Sequence, residues 1–373
     1  MNRYNSFDGL RGYAAIGILL MHYLANIGSS VSNGLKNAFP LLYGSVIPFF
    51  TNFVYMFFTV SAFSMCCGYF NRFAKKEVLS SNGEKLIVSS FDTDSFYKKR
   101  YSRIWPFFAL LVAIDVIMKP SISELYQAFA DLTLAFNLLP NPDISVIGVG
   151  WFLGLVFLFY MIFPWFVFLL QTKKRAWLAM LLSIVFHVIL VRYFLTNEFC
   201  TANQISNARH NMVFSFPFFM AGGLLYLYKD KLSFEKFSSK VILLLVACAA
   251  TIIYFTPWAP KPFGEKFLWI GIIFILWIMY AMSGGIAIKG FKFLDNKVAK
   301  FLGEFSMEIY LCHMVMFRVI EKVHLDRFIH NNHLLYWTWC VVGIVLAILF
   351  SYVVTKNIFP KIGKIVSKTG FSL

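Results

Sequence analysis

An arginine and a histidine stand eleven positions apart in the first long apolar segment of the chain, at Arg11 and His22. Eleven steps of about 100° end roughly 20° past three helical turns, so both side chains share one helix face about 16 Å apart. A histidine has an ordinary pKa of about 6.5 and can accept a hydroxyl proton at neutral pH. His22 is therefore either a proton acceptor in catalysis or a hydrogen-bonding group between helices. Asp8 lies one turn before Arg11, near enough to pair with it and fix its direction.

Two further arginines, Arg100 and Arg103, lie one helical turn apart in the segment KKRYSRIWP. Guanidinium groups at this spacing can hold a phosphate through planar bidentate hydrogen bonds, which lysine cannot reproduce. Basic residues here also fit the enrichment of Lys and Arg on the cytoplasmic side of membrane helices. The pair is a candidate phosphate site, with membrane topology as the alternative explanation.

A second histidine, His313, lies ten residues after Gly303 in the segment GEFSMEIYLCHMVMF. At 1.5 Å per residue this is roughly 15 Å along a helix, much the depth expected for His22. The two histidines could therefore meet in one cavity. Ser306 lies two turns before His313 on nearly the same face, and Glu308 is either a functional acid or the partner of a cytoplasmic lysine.

The composition is that of a membrane protein. Of 373 residues, 59% are hydrophobic and only 14% are charged, and many apolar runs have the 17–23 residues or so that cross a bilayer as a helix. A net charge of +16 could indicate nucleic acid, but the basic residues form short clusters between apolar runs, as contact with membrane lipids and topology would require. The six cysteines show no CxxC pair and no metal-ligand spacing, so we predict neither disulfides nor a metal site.

The fold class expected is all-α, a bundle of ten transmembrane helices in a single membrane domain over 1–373. The expected spans are 10–27, 45–70, 104–118, 147–170, 176–195, 212–228, 240–256, 267–288, 303–320 and 334–355. A segment at about 120–146 is expected to lie on the outer side as an amphipathic or re-entrant helix, because every basic cluster then falls on the cytoplasmic side. This places both termini and a loop at about 71–103 in the cytoplasm, with the first span retained rather than removed as a signal peptide.

Other ionisable residues in or near the spans show no spacing that links them to the first set. His187, Asp115 and Arg192 are expected to make contacts between helices, and Arg209 falls in the outer loop before the sixth predicted span. Because ionisable groups are costly inside a membrane, each needs a partner.

Motifs in three places, in chain order, resemble the acyltransferase-3 family of integral membrane O-acyltransferases. They are FDGLRG with the eleven-position Arg–His spacing, RYSR at the third predicted helix, and SMEIYLCH near the end, so the resemblance extends from Phe7 to about Phe317. It implies ten helices and the transfer of acyl groups, commonly acetyl, to glycans. Some members carry an extra esterase-like domain, which is not expected here.

The resemblance also implies roles for individual residues. Arg11 and His22 match the pair regarded as essential in the family, and Arg100 and Arg103 match the Arg-x-x-Arg pair associated with acyl-CoA. Acetyl-CoA is therefore the expected acyl donor, a substrate rather than a resident cofactor.

The match is less complete in two places. The late Ser-Tyr-x-x-Tyr-Leu-x-His pattern falls on Ser306, Tyr310 and His313, with Met307 replacing the usual tyrosine. Trp151 begins the fourth predicted helix and is a candidate for stacking on a sugar, although an interfacial aromatic belt explains a lone Trp equally well. Many sugar-acylating members have Trp-Ser-Leu followed by acidic residues here, whereas this chain reads WFLGL without a carboxylate. This departure weakens the transfer of acceptor specificity from the family.

The hypothesis is a membrane O-acyltransferase. Acyl-CoA binds from the cytoplasm through Arg100, Arg103 and Arg11, and His22 takes a proton from a hydroxyl of a saccharide or glycolipid, which attacks the thioester directly or after an acyl-enzyme step. His313, Ser306 or Glu308 orients the acceptor or the imidazole.

The alternative function is a transporter or flippase for a glycolipid or saccharide precursor, since transporters also place His and Arg at the midplane. The sequence shows no inverted repeat and no paired Gly/Pro-broken helices, which are typical of that class.

The expected location is the inner membrane of a bacterium, as a multi-pass protein.

Overall fold

The computed structural model describes residues 4–73, 76–79, 85–88, 92–138, 146–288 and 290–362. Its helices follow the apolar segments of the sequence and are numbered in chain order. They are α1 Asn5–Asn26, α2 Ser29–Ala38, α3 Ile47–Phe49, α4 Phe53–Phe73, α5 Thr93–Met118, α6 Ile122–Leu132, α7 Trp151–Met161, α8 Phe163–Leu170, α9 Lys173–Ile189, α10 Ala202–Ser206, α11 Met212–Leu227, α12 Lys229–Leu232, α13 Phe237–Tyr254, α14 Phe267–Met282, α15 Lys297–Glu304, α16 Ser306–Glu321 and α17 Asn332–Val353.

Two helices continue into π-helical turns, α9 at Leu190–Phe194 and α17 at Val354–Ile358. A third π-helical turn, Leu42–Val46, precedes α4 and is joined to it by α3 and a 3₁₀ turn. Two short antiparallel hairpins accompany the helices, β1 Lys76–Leu79 with β2 Lys85–Val88, and β3 Ala287–Ile288 with β4 Phe291–Lys292. The all-α membrane bundle predicted from the sequence is confirmed.

In the part of the chain that the structure describes, five helical segments are long and apolar enough to cross a membrane. They are Leu42–Phe73, Thr93–Met118, Lys173–Phe194, Phe237–Tyr254 and Asn332–Ile362. Two bent pairs raise the number to seven if each pair is one span, with a bend of 118° between α1 and α2 and of 61° between Gly148–Met161 and α8. Two shorter apolar helices, α11 and α14, coincide with further predicted spans. Each of the ten predicted spans therefore contains helix in the described residues, but ten crossings stay a prediction.

Contacts divide the chain into two compact units. The first comprises Met1–Phe53, Trp105–Ala128 and Gly284–Leu373, and the second comprises Val54–Ile104 and Phe129–Ser283. The first unit holds α1, α15, α16 and α17, and the second holds α7–α9, α11, α13 and α14. The single domain over 1–373 stays a prediction.

In the first unit, α1 packs against α15 at backbone contact. A Cβ atom added to Gly12 would lie 2.6 Å from the Cβ of Leu302, and one added to Gly303 would lie 2.0 Å from the carbonyl oxygen of Asp8. Glycines allow this close approach because they carry no side chain. The N-terminal turns of α1, with Asp8 and Arg11, are thereby fixed against α15.

In the second unit, aromatic side chains fill the space between helices. Phe159 stacks on Phe219 with ring centroids 4.3 Å apart, and Tyr55 stacks on Phe218 at 4.3 Å. Gly222 of α11 lies against α4, where an added Cβ would be 2.2 Å from the carbonyl oxygen of Thr59. The high phenylalanine content of the sequence is thus used in helix packing.

The segment expected to be amphipathic or re-entrant contains α6 and the 3₁₀ turn Phe136–Leu138, and residues 139–145 lie outside the described residues. Leu125, Tyr126 and Phe129 of α6 are exposed, whereas Ala128 and Asp131 are buried. In the expected cytoplasmic loop at 71–103, the described residues are the end of α4, the first hairpin and the start of α5.

Candidate active site

The structure brings His22 of α1 and His313 of α16 into direct contact, both within the first unit. His22 Nδ1 lies 2.7 Å from His313 Nε2, and the two rings are nearly parallel, with an interplanar angle of 3°. His313 is completely buried and His22 is half-buried. The expectation that the two histidines meet, drawn from their similar depth along two helices, is confirmed.

The protons on this pair follow from a third contact. His313 Nδ1 hydrogen-bonds to the backbone carbonyl oxygen of Tyr310 one turn earlier. A carbonyl oxygen only accepts, so Nδ1 of His313 carries the proton, and in a neutral ring its Nε2 then accepts. His22 therefore donates from Nδ1, and the lone pair of neutral His22 is on Nε2. This is the tautomer that a proton acceptor at Nε2 needs.

Two tyrosines that the sequence analysis did not single out join α1 to α16 and α17 near the histidine pair. Tyr23, adjacent to His22, donates a hydrogen bond to the backbone carbonyl oxygen of His313 at 3.1 Å. Tyr336 of α17 donates to the carbonyl oxygen of Leu20 in α1 at 2.9 Å. The only available signal in the sequence was a tyrosine next to the catalytic candidate, and tyrosine is too common in this chain for that to be specific.

Arg11 and Asp8 form the pair expected from their spacing. Arg11 Nη1 lies 3.5 Å from Asp8 Oδ1, and the carboxylate is buried while Arg11 is half-buried. Asp8 lies in the first turn of α1, where a negative charge also interacts favourably with the helix dipole. The guanidinium is thus directed by its own helix.

The candidate supporting residues at the start of α16 have different surroundings. Ser306 donates to the carbonyl oxygen of Gly303 at 3.0 Å, across the break between α15 and α16. Tyr310 is buried, and its carbonyl oxygen holds His313. Glu308 is half-buried. A salt bridge to a C-terminal lysine is made one turn earlier, between Glu304 and Lys356 at 2.6 Å.

Arg100 and Arg103 lie in the second unit, at the start of α5, and have different environments. Arg103 is exposed. Arg100 is half-buried, with its guanidinium carbon 5.0 Å from the ring centroid of Tyr69, 5.4 Å from Tyr160 and 5.5 Å from Phe96. The two arginines are therefore not an equivalent pair, because aromatic rings surround one and solvent surrounds the other.

Trp151 is buried in the second unit and stacks on His210, with ring centroids 4.3 Å apart. The side-chain amide of Asn137 donates to the carbonyl oxygens of both residues at 3.2 Å. Burial, with a smaller contribution from the charge of Arg209, lowers the pKa of His210 to about 3, so its ring is neutral at physiological pH. One face of the Trp151 indole is thus occupied by a neutral imidazole.

The remaining ionisable residues mostly make the contacts between segments that we expected. Asp115 of α5 forms a buried ion pair with Arg318 of α16. His187 of α9 bonds the carbonyl oxygen of Phe214 at 3.0 Å and stacks on Phe267. Arg192 donates to the carbonyl oxygen of Phe263. In the described residues, no group of three or more His, Cys, Asp or Glu side chains is arranged to hold a metal ion.

Comparison with known proteins identifies the family. The model of the acyltransferase-3 family, described as an acyltransferase domain, matches residues 4–356, which is nearly the whole chain. No curated protein and no solved structure matches this chain. The matched range includes both histidines of the contact pair and all three candidate arginines. The chain therefore belongs to the acyltransferase-3 family and is a membrane acyltransferase.

Proposed function

We propose that this acyltransferase moves an acetyl group from acetyl-CoA to a hydroxyl of a cell-surface or lipid-linked saccharide, with His22 as general base. The observation that carries the role of His22 is its 2.7 Å contact with His313. That contact fixes the tautomer of His22 and leaves the basic lone pair on Nε2. The saccharide acceptor, acetyl specificity and a bacterial inner membrane location are parts of the proposal that rest on the resemblance of the motifs.

The reaction proceeds by proton transfer and attack at the thioester. Nε2 of His22 takes the acceptor hydroxyl proton while the hydroxyl oxygen attacks the carbonyl carbon of the thioester. The C–S bond then breaks, and the CoA thiolate takes the proton back from the His22 imidazolium. An oxygen ester and free CoA are formed, and the enzyme returns to its starting protonation state. This direct route needs no acyl-enzyme.

His313 supports the charge that forms on His22. When His22 is protonated at Nε2, its Nδ1–H becomes a charged donor, and hydrogen bonds from charged donors are stronger than those from neutral ones. His313 Nε2 receives this bond in a buried site, where electrostatic interactions are stronger than in water. The imidazolium is therefore stabilised in the step in which it forms.

The donor is held by the arginines. Arg103 is exposed and offers a planar fork of donors to a phosphate of CoA. Arg100 is assigned to the same donor, with its guanidinium constrained by aromatic rings. A contribution of Arg11, which Asp8 directs, stays a prediction from the sequence.

Purified protein in lipid vesicles, supplied with radiolabelled acetyl-CoA and a glycan extract, tests the proposal. We expect acetyl transfer by the wild type and loss of transfer in His22→Ala. His330→Ala removes an exposed histidine and should keep wild-type activity. Intact acetyl-CoA in the presence of wild-type protein and acceptor would contradict the proposal and favour a transporter. Full activity of a stably inserted His22→Ala variant would show that another group is the base.

A further inference from the structure

Two consecutive residues of α1 hold the same residue of α16. His22 bonds the imidazole of His313 at 2.7 Å, and Tyr23 donates to its backbone carbonyl oxygen at 3.1 Å. Successive residues of a helix are about 100° apart around the axis and about 1.5 Å apart along it. The two bonds therefore act in different directions, and together they restrict both the rotation and the sliding of α16 against α1.

Tyr23 is itself immobilised by the packing of its ring. It is completely buried, and its ring meets Phe317 edge-on, with centroids 5.0 Å apart at an angle of 71°. It also lies against the backbone of α17, since a Cβ atom added to Gly343 would be 2.3 Å from the Tyr23 ring. The hydroxyl group therefore has a fixed position from which to hold the carbonyl of His313.

The position of this carbonyl determines the catalytic contact. Hydrogen bonds weaken steeply when they lengthen or bend, and the bond between the two imidazoles fixes the tautomer of His22. A small rotation of α16 would move His313 Nε2 away from His22 Nδ1. The proton of neutral His22 could then move to Nε2. A protonated Nε2 could not accept the proton of the acceptor hydroxyl.

We propose that Tyr23 is a positioning residue for acyl transfer, which holds His313 where its imidazole receives the hydrogen bond of His22. This inference rests on the proposed function, because it assigns Tyr23 to the same histidine pair. Tyr23 does not contact the reacting groups and acts through His313.

Tyr23→Phe removes only the hydroxyl group and keeps the ring packed against Phe317 and Gly343. Because small misplacements of catalytic groups have large kinetic effects, we expect kcat to fall by about tenfold or more, with KM for acetyl-CoA within about twofold of wild type. The matched control is Tyr13→Phe on the same helix, whose hydroxyl donates to the carbonyl oxygen of Phe293 at 3.0 Å. This variant also loses a tyrosine-to-carbonyl hydrogen bond, in a more exposed place away from the histidine pair, and should keep the wild-type kcat.

A spectroscopic measurement separates positioning from general stability. In protein labelled with ¹⁵N-histidine, the imidazole signals of His22 and His313 can be assigned from His22→Gln and His313→Gln. We expect Tyr23→Phe to shift both signals while the melting temperature stays near that of Tyr13→Phe. Gly343→Ala pushes on the hydroxyl end of the ring, because its Cβ atom would lie 2.3 Å from both Cε2 and the hydroxyl oxygen of Tyr23, and should likewise lower kcat.

The outcomes distinguish this inference from the proposed function. If His22→Ala keeps full activity, the proposed base is wrong and the role of Tyr23 is wrong with it. If His22→Ala is inactive but Tyr23→Phe has wild-type kcat and unchanged imidazole signals, only the inference about Tyr23 is overturned. A loss of kcat equal in Tyr23→Phe and Tyr13→Phe would also overturn it, because the effect would then not depend on His313.

Discussion

The pairing of two imidazoles, rather than an imidazole and a carboxylate, sets what His313 contributes. A neutral Nε2 acceptor orients His22 and supports its protonated form without placing a negative charge in a buried site. Burying a carboxylate would cost more desolvation than burying a neutral ring. His313 is fully buried, so the neutral acceptor suits its position.

This arrangement predicts different results for two replacements of His313. His313→Leu removes the acceptor, and we expect kcat to fall on the order of 10²-fold, within the usual range for a lost acid–base contribution. His313→Gln keeps an amide oxygen that can accept from His22 Nδ1, so its activity should lie between those of the Leu variant and wild type. Initial rates of acetyl transfer at saturating acetyl-CoA test this order, and equal rates for all three proteins would contradict it.

At this scale the sequence predicted which residues meet but not how their atoms pair. The contact of His22 with His313 followed from their depth, and that of Arg11 with Asp8 from their spacing. The ring nitrogens involved, and the bond from Tyr23, depend on the rotation of α16 about its axis. Periodicity does not fix that rotation to the few tenths of an ångström that hydrogen bonds require.

Among the elements, the expected span at 303–320 is interrupted near its start by the break between α15 and α16. The helix ends at Glu304 and restarts at Ser306, and Phe305 between them has a φ of −104°. Ser306 compensates by donating to the carbonyl oxygen of Gly303. Gly303, before the break, lies against α1, and α16, after the break, carries His313.

Gly303 should tolerate no side chain. An added Cβ would lie 2.0 Å from the carbonyl oxygen of Asp8, so Gly303→Ala must separate α1 from α15. Overpacking of this kind typically costs about 1–3 kcal/mol, and we expect a lower melting temperature in detergent together with weaker acetyl transfer.

Gly68→Ala is the matched control for this substitution. Gly68 lies within α4 and has no atom within 4 Å of an added Cβ. Alanine has the higher helix propensity, so this variant should be at least as stable as wild type. If Gly303→Ala had the same melting temperature as Gly68→Ala, the close approach of α1 to α15 would not be needed for stability.

Proline illustrates why such breaks are hard to predict. The expected span 147–170 bends by 61° between α7 and α8, next to Pro164, which cannot donate a backbone hydrogen bond. Yet Pro106 and Pro217 lie inside α5 and α11 without ending them. The same residue type lies at the break of one span and inside continuous helices elsewhere, since neighbouring helices and local adjustments can satisfy the freed carbonyl.

For the molecule as a whole, composition and charge predicted the class of fold, which is confirmed, and ten crossings, which stay a prediction. The helices α11 and α14 have 16 residues each, which is about 24 Å of helix, less than the roughly 30 Å of a hydrocarbon core. If α11 and α14 cross the membrane, either residues flanking each helix span the remaining thickness or the bilayer is thinner there. Hydropathy alone cannot show which of these applies.

In the proposed reaction the donor, acetyl-CoA, is recognised by its phosphates, and each of the two arginines of α5 gives a separate prediction. Arg103 is exposed, so Arg103→Gln should leave the fold intact and raise KM for acetyl-CoA by about tenfold, the loss of one charge-assisted contact. For S-acetylpantetheine, which lacks the phosphates, KM should be unchanged. Lys98→Gln removes an exposed charge two residues before Arg100 and should leave KM for both donors unchanged.

Arg100 should behave differently, because its guanidinium is packed among Tyr69, Tyr160 and Phe96. Arg100→Gln loses these cation–π contacts, each of about 0.5–1 kcal/mol at exposed sites and more when desolvated, so it should lower the melting temperature as well as raise KM. Arg100→Lys keeps the charge but not the planar group that lies over the rings.

If Arg103→Gln raised KM equally for acetyl-CoA and S-acetylpantetheine, Arg103 would not be binding a phosphate, and its charge would serve topology alone.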